Sequence, residues 1–325
     1  MTAPEVSVIL PAYNAAATLP AQLGALAAQQ GAPSFELIVS DNGSDDLTAA
    51  VAREHRSLFP SLTVIDSSAR RGPSAARNAG AAHARAPMLA FCDADDVASP
   101  GWLASLVRAM QTADAVAGAF EHRRLNPPRA RAVSWNTDVP IRLASWPDLP
   151  AGASSNLAIT AEAFRALGGF DEDLGTCEDI DLCWRAQLAG YRLDFALDAV
   201  VHERKRSGLR ATYRQSVAYA RGTRDLERKH RAVLGSPRAL DDSGRNVDEY
   251  GDEGGGARGG RPTEVPQRAV DPPAAPPRTG GVGRIGALGS RLRRPDRLSL
   301  LADLAWRLGQ RRAHRTSAPQ REAED

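Results

Sequence analysis

The sequence predicts an α/β fold with a mostly parallel sheet and helices on both faces. Short, continuous apolar runs such as residues 6–10 and 88–92 alternate with segments whose apolar residues follow helical spacing, as Leu19, Leu23 and Leu26 do. Strands that are buried on both faces of a parallel sheet have this continuous apolar character, and helices provide the crossovers between them.

The elements follow in order along the chain. The predicted strands cover residues 6–10, 35–39, 62–65, 88–92, 154–159 and 191–202. The predicted helices cover residues 18–29, 47–56, 74–84, a stretch from Ser99, 161–167, 178–189 and 209–231. Residues 114–150 show no clear periodicity, and we expect loops and edge strands there.

Composition divides the chain into three parts. Residues 1–234 carry the apolar runs of one folded domain, whose two halves meet near residue 98. Residues 235–283 are rich in Gly and Pro and lack large apolar side chains, which predicts a disordered linker. Residues 284–325 form a basic tail, and its apolar spacing predicts an amphipathic helix at about 296–312.

Charge and cysteine content exclude several classes of protein. The formal net charge is +2, and the folded part carries no basic stripe of the kind that binds nucleic acid. The three cysteines form no CxxC pair, which indicates a reducing compartment. Neither a signal peptide nor an apolar run long enough to span a bilayer is evident. These observations predict a cytoplasmic protein.

The run that ends the strand at 88–92 contains three carboxylates, Asp93, Asp95 and Asp96. Carboxylates at i and i+2 of an extended segment project the same way, which is costly unless a cation lies between them. Mg²⁺ and Mn²⁺ prefer such oxygen ligands. Alternatively, this is an acidic loop in which Asp96 helps to cap the helix that begins near Ser99.

Chemistry-bearing residues follow three of the predicted strands: residues 11–14, Asp41 and residues 93–96. In open parallel sheets, ligands bind beyond the carboxyl ends of the strands. The sequence therefore predicts a ligand site at this edge.

Taken together, the motifs resemble those of the family 2 glycosyltransferases, which are inverting enzymes with the Rossmann-like GT-A fold. The resemblance covers residues 5–205 and depends on the order and spacing of seven weak motifs. They are residues 8–14, Asp41-Asn42-Gly43-Ser44-x-Asp46, Gly72-Pro73-x-x-x-Arg77-Asn78-x-Gly80, Asp93-x-Asp95-Asp96, Gly169-Phe170-Asp171-Glu172, Glu178-Asp179-x-Asp181-Leu182-x-x-Arg185 and Val201-His202. The Gln-x-x-Arg-Trp motif of processive members is absent, which favours the addition of one sugar per encounter.

The resemblance implies that residues 1–98 bind a nucleotide-sugar donor, most plausibly a UDP-sugar. Asp95 and His202 would hold a divalent cation, Mg²⁺ or Mn²⁺, while Asp93 would share the ion or bind the ribose. The other residues with an implied donor role are Pro11, Ala12, Tyr13, Asn14, Asp41, Arg77 and Ala94. For several of these a structural role competes: a satisfied polar side chain for His202, turn formation for Asp41, core packing for Tyr13, and solvation for Arg77.

By the same resemblance, residues 99–234 bind the acceptor, and Asp179 is the general base, with Glu178 as the second candidate. An aspartate of ordinary pKa is ionised at neutral pH and can accept the acceptor proton. The acids at this helix start are also explained by the helix dipole alone. Ser155, Asn156, Asp181 and Arg185 are expected on the acceptor side, although Asp181 and Arg185 stand at i and i+4 and could simply pair with each other.

The resemblance implies transfer of a sugar to an acceptor hydroxyl in cell-envelope polysaccharide, glycolipid or natural-product glycosylation. The acceptor would be a sugar, a lipid-linked molecule or a small molecule. The tail helix at 296–312 suits either an anionic membrane surface or a protein surface. The alternatives are a nucleotidyltransferase, which would need a Gly-rich basic loop where residues 11–14 stand, and a scaffold of the same fold without catalysis.

Overall fold

The computed structural model describes residues 3–127, 139–205 and 209–235. The predicted tail helix at 296–312 and nearly all of the predicted linker lie outside these residues. The described residues form one sheet of eight strands with helices packed against it.

The strands run in the sheet order β3-β2-β1-β4-β7-β6-β8-β5. Their bounds are β1 Val6–Ala12, β2 Phe35–Asp41, β3 Leu62–Asp66, β4 Met88–Cys92, β5 Val97–Ala98, β6 Ala115–Glu121, β7 Asn156–Thr160 and β8 Leu193–His202. Two of them, β5 and β6, lie where the apolar pattern predicts no defined strand.

The two halves of the sheet differ in strand direction. The four strands β3, β2, β1 and β4 are all parallel, as their continuous apolar character predicts. Beyond β4, strand β7 is antiparallel to both neighbours, β8 is parallel to β6, and β5 is antiparallel to β8. The sheet is therefore mixed, with its parallel part confined mainly to the first half.

Seven helices and a short 3₁₀ segment, His55–Leu58, accompany the sheet in the described residues. The helices are α1 Leu19–Ala27, α2 Thr48–Glu54, α3 Pro73–Ala82, α4 Trp102–Met110, α5 Ala161–Ala166, α6 Glu178–Leu188 and α7 Leu209–Leu234. One apolar core forms where α1 and α4 pack on the sheet, and a second contains Phe164 of α5, Trp184 of α6 and Leu226 of α7. The sheet thus has apolar layers on both faces, which confirms the predicted α/β class.

Helix α3 packs unusually close to the sheet because its residues are small. A Cβ atom on Gly80 would lie 2.5 Å from Cγ2 of Ile9 in β1, so only glycine fits there. The close packing brings Arg77, one turn earlier on the same helix, over the carboxyl end of the parallel strands.

Helix α7 approaches the loop before α6 equally closely. A Cβ atom on Gly222 would lie 1.9 Å from Oγ1 of Thr176, and the Thr176 hydroxyl donates to the carbonyl of Ala218 at 3.0 Å. The loop and the helix therefore form one packed unit.

Within the part of the chain that the structure describes, no helix combines the length and the apolar character needed to cross a bilayer.

Candidate functional site

A cleft of about 740 Å³ lies at the carboxyl ends of β1 and β4, where the parallel sheet predicts a ligand site. We call it the first cleft. Its walls include nearly all the residues with an implied donor role, namely Pro11, Ala12, Tyr13, Asn14, Arg77, Asp93, Ala94 and Asp95.

The loop after β1 is fixed to the loop after β2 through Asn14. The Asn14 backbone has φ 49°, a left-handed conformation that asparagine tolerates better than most residues. Its backbone N–H donates to Oγ of Ser44 at 3.0 Å, and its Oδ1 accepts from the Asp45 backbone N–H at 2.8 Å. Two strand ends are thereby held together at the mouth of the cleft.

Asp41 has a structural role in its own turn, and its implied donor role stays a prediction. Its carboxylate accepts from the backbone N–H and the hydroxyl of Ser44, which is turn formation, and it does not line the first cleft. The next residue, Asn42, does line it. The buried Asn42 side chain donates to the carbonyls of Ser67 and Arg70 and so positions the loop that precedes α3.

That loop supplies Arg71, a wall of the first cleft that sequence reasoning missed. Its guanidinium donates to the carbonyls of Asn42 and Gly43 at 2.7 and 2.6 Å and lies 5.5 Å from the ring centre of Tyr13. Tyr13 is 56% exposed, so it is not a core residue. An exposed aromatic ring backed by a fixed cation forms a platform on which a planar ligand can stack.

Three carboxylates meet at the end of β4. Oxygen atoms of Asp93, Asp95 and Asp96 all lie within 4.8 Å of one another. Asp96 is buried, and this burial together with the charges of Asp93 and Asp95 raises its pKa well above the usual range. A set of oxygen ligands that repel one another fits a hard divalent cation, which would remove the repulsion.

His202 lies outside this group of carboxylates, which is the one group of potential metal ligands in the described residues. It ends β8, and its Nδ1 is 2.9 Å from Oε2 of Glu121 on the neighbouring strand β6. The role of His202 as a metal ligand stays a prediction, and the carboxylate that completes the group in this structure is that of Asp96. Asp96 does not cap α4, since Gly101 stands at the start of that helix without a side-chain cap, and Oδ1 of Asp96 accepts from the backbone N–H of Arg204 at 2.8 Å.

A second cavity, of about 470 Å³, adjoins the first cleft. The two share five wall residues: Pro73, Arg77, Asp93, Asp95 and Arg204. Ser155 lines the second cavity, and so do Glu178 and Asp179 at the start of α6 and Tyr219 of α7.

The Asp179 carboxyl, which lines this cavity, has a strongly perturbed pKa. Burial, followed by the neighbouring charge of Glu178, raises its pKa to about 7, in spite of Arg77 nearby. Its Oδ1 accepts from the Ile180 backbone N–H at 2.8 Å. Our expectation of an ordinary ionised aspartate is therefore corrected: the group is poised to exchange a proton near neutral pH.

Arg77 joins the two cavities. Its Nη2 donates to Oδ1 of Asp93 at 2.7 Å, its Nη1 donates to Oε1 of Glu178 at 3.0 Å, and the side chain is only 4% exposed. Its Nε has no hydrogen-bond partner among the described residues. In place of the solvated arginine weighed from the sequence, the structure thus has a buried link between the end of β4 and the start of α6.

Comparison with known families agrees with this arrangement. The model of the family described as Glycosyl transferase family 2 matches residues 7–164, and that of Glycosyl transferase family group 2 matches residues 89–241. The chain belongs to glycosyltransferase family 2.

Several named glycosyltransferases are similar over most of the described residues. The validoxylamine A glucosyltransferase of Streptomyces hygroscopicus subsp. limoneus is 32% identical over 58% of this chain and 49% of its own length. AglE of Haloferax volcanii is 30% identical over 61% of this chain and 66% of its own length. The pre-mycofactocin glycosyltransferase of Mycobacterium tuberculosis is 28% identical over 70% of this chain and 48% of its own length. The chain therefore spans between about half and two thirds of these relatives.

Solved structures show the same fold. The mannosyltransferase PcManGT of Pyrobaculum calidifontis, in complex with GDP-Man and Mn²⁺, has a TM-score of 0.53 at 24% identity and covers 70% of this chain and 65% of its own. S. aureus TarS 1-349 has a TM-score of 0.52 at 19% identity and covers 74% of this chain and 67% of its own. This likeness confirms the GT-A fold predicted for a family 2 chain.

Three residues with implied acceptor roles lie away from the second cavity. The buried Asn156 donates to the carbonyls of Ala119 and Ala199 and accepts from the Trp102 indole, so it ties together the second half of the sheet. Asp181 is fully buried and pairs with Arg185 at 2.7 Å.

The pairing alternative for Asp181 and Arg185 is thus the one observed. His230 and Lys229 of α7 also contact Asp181, at 2.9 and 2.7 Å. In spite of burial, these hydrogen bonds and the charge of Arg185 lower the pKa of Asp181 to about 2. These residues fix α6 against α7 rather than lining the cavity.

Proposed function

We propose that this family 2 chain transfers one sugar from a nucleotide-sugar donor to an acceptor hydroxyl with inversion. The observation that carries the proposal is the shared wall of the two cavities. A group of three carboxylates stands on one side of Arg77, and a buried aspartate with a pKa of about 7 stands on the other. Donor and acceptor would meet across this wall.

The first cleft would hold the donor, and a UDP-sugar is our proposal for it. Solved structures of similar fold contain GDP-Man or UDP-GlcNAc, which makes a nucleoside diphosphate the expected ligand class. Tyr13 would stack on the base, and Arg71 and Arg204 line the cleft as positive charges for the diphosphate.

Asp93, Asp95 and Asp96 would hold Mg²⁺ or Mn²⁺. When bound, such an ion supplies positive charge to the leaving diphosphate. Arg77 would continue to neutralise Asp93 when the ion is bound, because its buried guanidinium is paired with both Asp93 and Glu178.

The second cavity would place the acceptor hydroxyl beside Asp179. The hydroxyl oxygen attacks the anomeric carbon, the bond from that carbon to the diphosphate oxygen breaks, and the nucleoside diphosphate leaves with the electron pair. Asp179 takes the hydroxyl proton. Attack opposite to the leaving group inverts the anomeric configuration.

Between the two acids at the start of α6, the contacts favour Asp179 as the base. Oε1 of Glu178 already accepts from Arg77 at 3.0 Å and lies 3.3 Å from the Ser154 hydroxyl, so charged and neutral donors occupy it. Asp179 has only backbone donors, Ile180 and Ser154, among the described residues. The less neutralised carboxylate is the stronger base.

The acceptor would be a sugar, a lipid-linked molecule or a small molecule in cell-envelope polysaccharide, glycolipid or natural-product glycosylation, acted on in the cytoplasm. A thermal-shift panel of sugar nucleotides, each with and without Mn²⁺, would identify the donor, because a ligand that binds the folded state raises its melting temperature.

The decisive experiment replaces the base and counts nucleoside diphosphate release with Mn²⁺ and an acceptor present. Asp179→Asn should lower kcat by about 10²–10⁴-fold while donor binding in the thermal-shift assay persists. Asp198→Asn is the matched control, since Asp198 is exposed and pairs with Arg108 at the surface. Turnover by Asp179→Asn at the wild-type rate would exclude Asp179 as the base.

A further inference from the structure

Helix α7 carries a row of arginines along one face, which corrects our expectation that the folded part of the chain has no basic stripe. The row, which we call the arginine face, follows spacings of three, four and seven residues, and such spacings keep side chains on one side of a helix. Its members are Arg210, Arg214, Arg221, Arg224, Arg228 and Arg231. Arg224 is partly buried, and the other members are exposed. At 1.5 Å per residue the row is about 32 Å long.

Few acids offset this charge. Asp225 is the one acid on the exposed part of α7, and its contact with Arg228 at 3.1 Å is exposed at both ends, with side-chain exposures of 52% and 71%. Such a solvated pair contributes little binding energy and can exchange partners. The other acid of α7, Glu227, is partly buried, is hydrogen-bonded to Ser145 and offsets part of the charge of Arg224 and Arg231. The arginine face therefore presents a net positive line.

We propose that the arginine face is a docking surface for an anionic lipid bilayer. A straight, convex helix presents its charges to a flat surface at the same depth, and guanidinium groups bind phosphate oxygens with two parallel hydrogen bonds. Few large apolar side chains accompany the arginines: Tyr213 is 39% exposed, Val217 between Arg214 and Arg221 is partly buried, and Val233 near the end of the helix is 68% exposed. The helix would thus rest on lipid headgroups rather than enter the hydrocarbon.

The shape and composition of the face favour a bilayer over nucleic acid. Single-stranded nucleic acid is bound through aromatic rings that stack on the bases, and Tyr213 is the one exposed aromatic residue on the described part of α7. The side chains of the face carry charge alone, and they form a line instead of a groove.

Docking of the arginine face on a bilayer would also bring the second cavity close to the membrane, because another side of α7 lines that cavity. Gln215, Ala218 and Tyr219 of the same helix line the second cavity. A helix with its side chains is about 10–12 Å across, so a bilayer on the arginine face would lie roughly one helix diameter from that cavity. This step rests on the proposed function: the acceptor would then be a molecule held at the membrane surface.

The experiment measures binding of the full chain to vesicles of equimolar phosphatidylcholine and phosphatidylglycerol by co-sedimentation. Arg210→Gln/Arg214→Gln/Arg221→Gln should lower the partition coefficient at least tenfold, since one basic side chain near an anionic bilayer contributes roughly a factor of five. The control Arg53→Gln/Arg56→Gln/Arg165→Gln removes the same charge from exposed positions outside α7 and should stay within about twofold of wild type. Both variants keep the tail intact.

Wild-type binding should also fall as salt is raised, a measurement that requires no variant. The proposal is overturned by equal loss in both triple variants, by no loss in either, or by equal binding to pure phosphatidylcholine. It is likewise overturned if duplex DNA binds more tightly than the vesicles with the same dependence on the three arginines. Because no donor or acceptor is present, failure of the glycosyl-transfer proposal would leave this result unchanged.

Discussion

The first cleft and the second cavity share a wall but are assembled in different ways. The first cleft is formed by loops that follow consecutive parallel strands, and its polar groups are mostly at the surface, as Tyr13 and Asp95 are. The second cavity draws on segments from β6 to α7, and its key carboxylate is buried. Local sequence thus determines the groups of the first cleft, whereas tertiary packing determines the chemistry of the second.

The largest effect is expected when Arg77, the buried residue that links the two cavities, is replaced. Arg77→Met should lower the free energy of unfolding by about 3–5 kcal/mol, because it leaves Asp93 and Glu178 without their buried cation. Urea unfolding measures the change.

Arg70→Met provides the control, since Arg70 also pairs with two acids, Glu172 and Asp173, but is 53% exposed. Its loss should cost at most about 1 kcal/mol. Equal destabilisation by the two substitutions would show that burial of Arg77 does not matter.

The pH dependence of kcat tests the buried carboxylate of the second cavity. Only ionised Asp179 can accept a proton, and its pKa is raised to about 7, so kcat should rise with pH through 7 and then level off. Below 7 the rate should fall roughly tenfold per pH unit. Glu178→Gln removes the neighbouring negative charge that raises this pKa and should move the acid limb to lower pH.

Asp198→Asn, far from this charge pair, should leave the pH profile in place. A profile that stays flat from pH 5.5 to 8.5 in the wild-type chain, roughly the range where a group of pKa near 7 changes charge, would contradict the role given to Asp179.

The smallest effect is expected at the exposed platform of the first cleft. Tyr13→Ala removes the exposed ring on which the base of the donor would stack and should raise the donor KM by about two- to tenfold with kcat unchanged, since a stacked aromatic pair contributes about 0.5–1.5 kcal/mol. Steady-state kinetics at saturating acceptor measures it. Tyr213→Ala, at a similarly exposed tyrosine of α7, should leave the donor KM unchanged.

The first half of the fold could be predicted well because its sequence signals are local. Continuous apolar runs identify β1 to β4, and the polar residues that follow β1 and β4 do line the first cleft, as the rule for parallel sheets predicts. The donor role of Asp41 stays a prediction, because the hydrogen bonds from Ser44 use only Oδ1 of the carboxylate.

The second half could not be predicted as fully. Nothing local to Asn156 reveals that Trp102, Ala119 and Ala199 would converge on its amide. The raised pKa of Asp179 depends on burial beneath segments that are distant in the chain. Arg204, which donates to the Asp95 carbonyl at 3.0 Å, follows the Val201-His202 motif without belonging to it.

The contact at Gly222 has a consequence for substrate selection. Since any side chain there would collide with Thr176, which itself lines the second cavity, the size of this one residue sets how far α7 stands from the wall. Gly222→Ala would push α7 away from Thr176 and enlarge the second cavity. If that cavity holds the acceptor as proposed, bulkier alcohols would then fit, although the contact between α7 and the Thr176 loop would be looser. In related chains, the size of the residue at this position of α7 would change acceptor selection while the reacting groups stay the same.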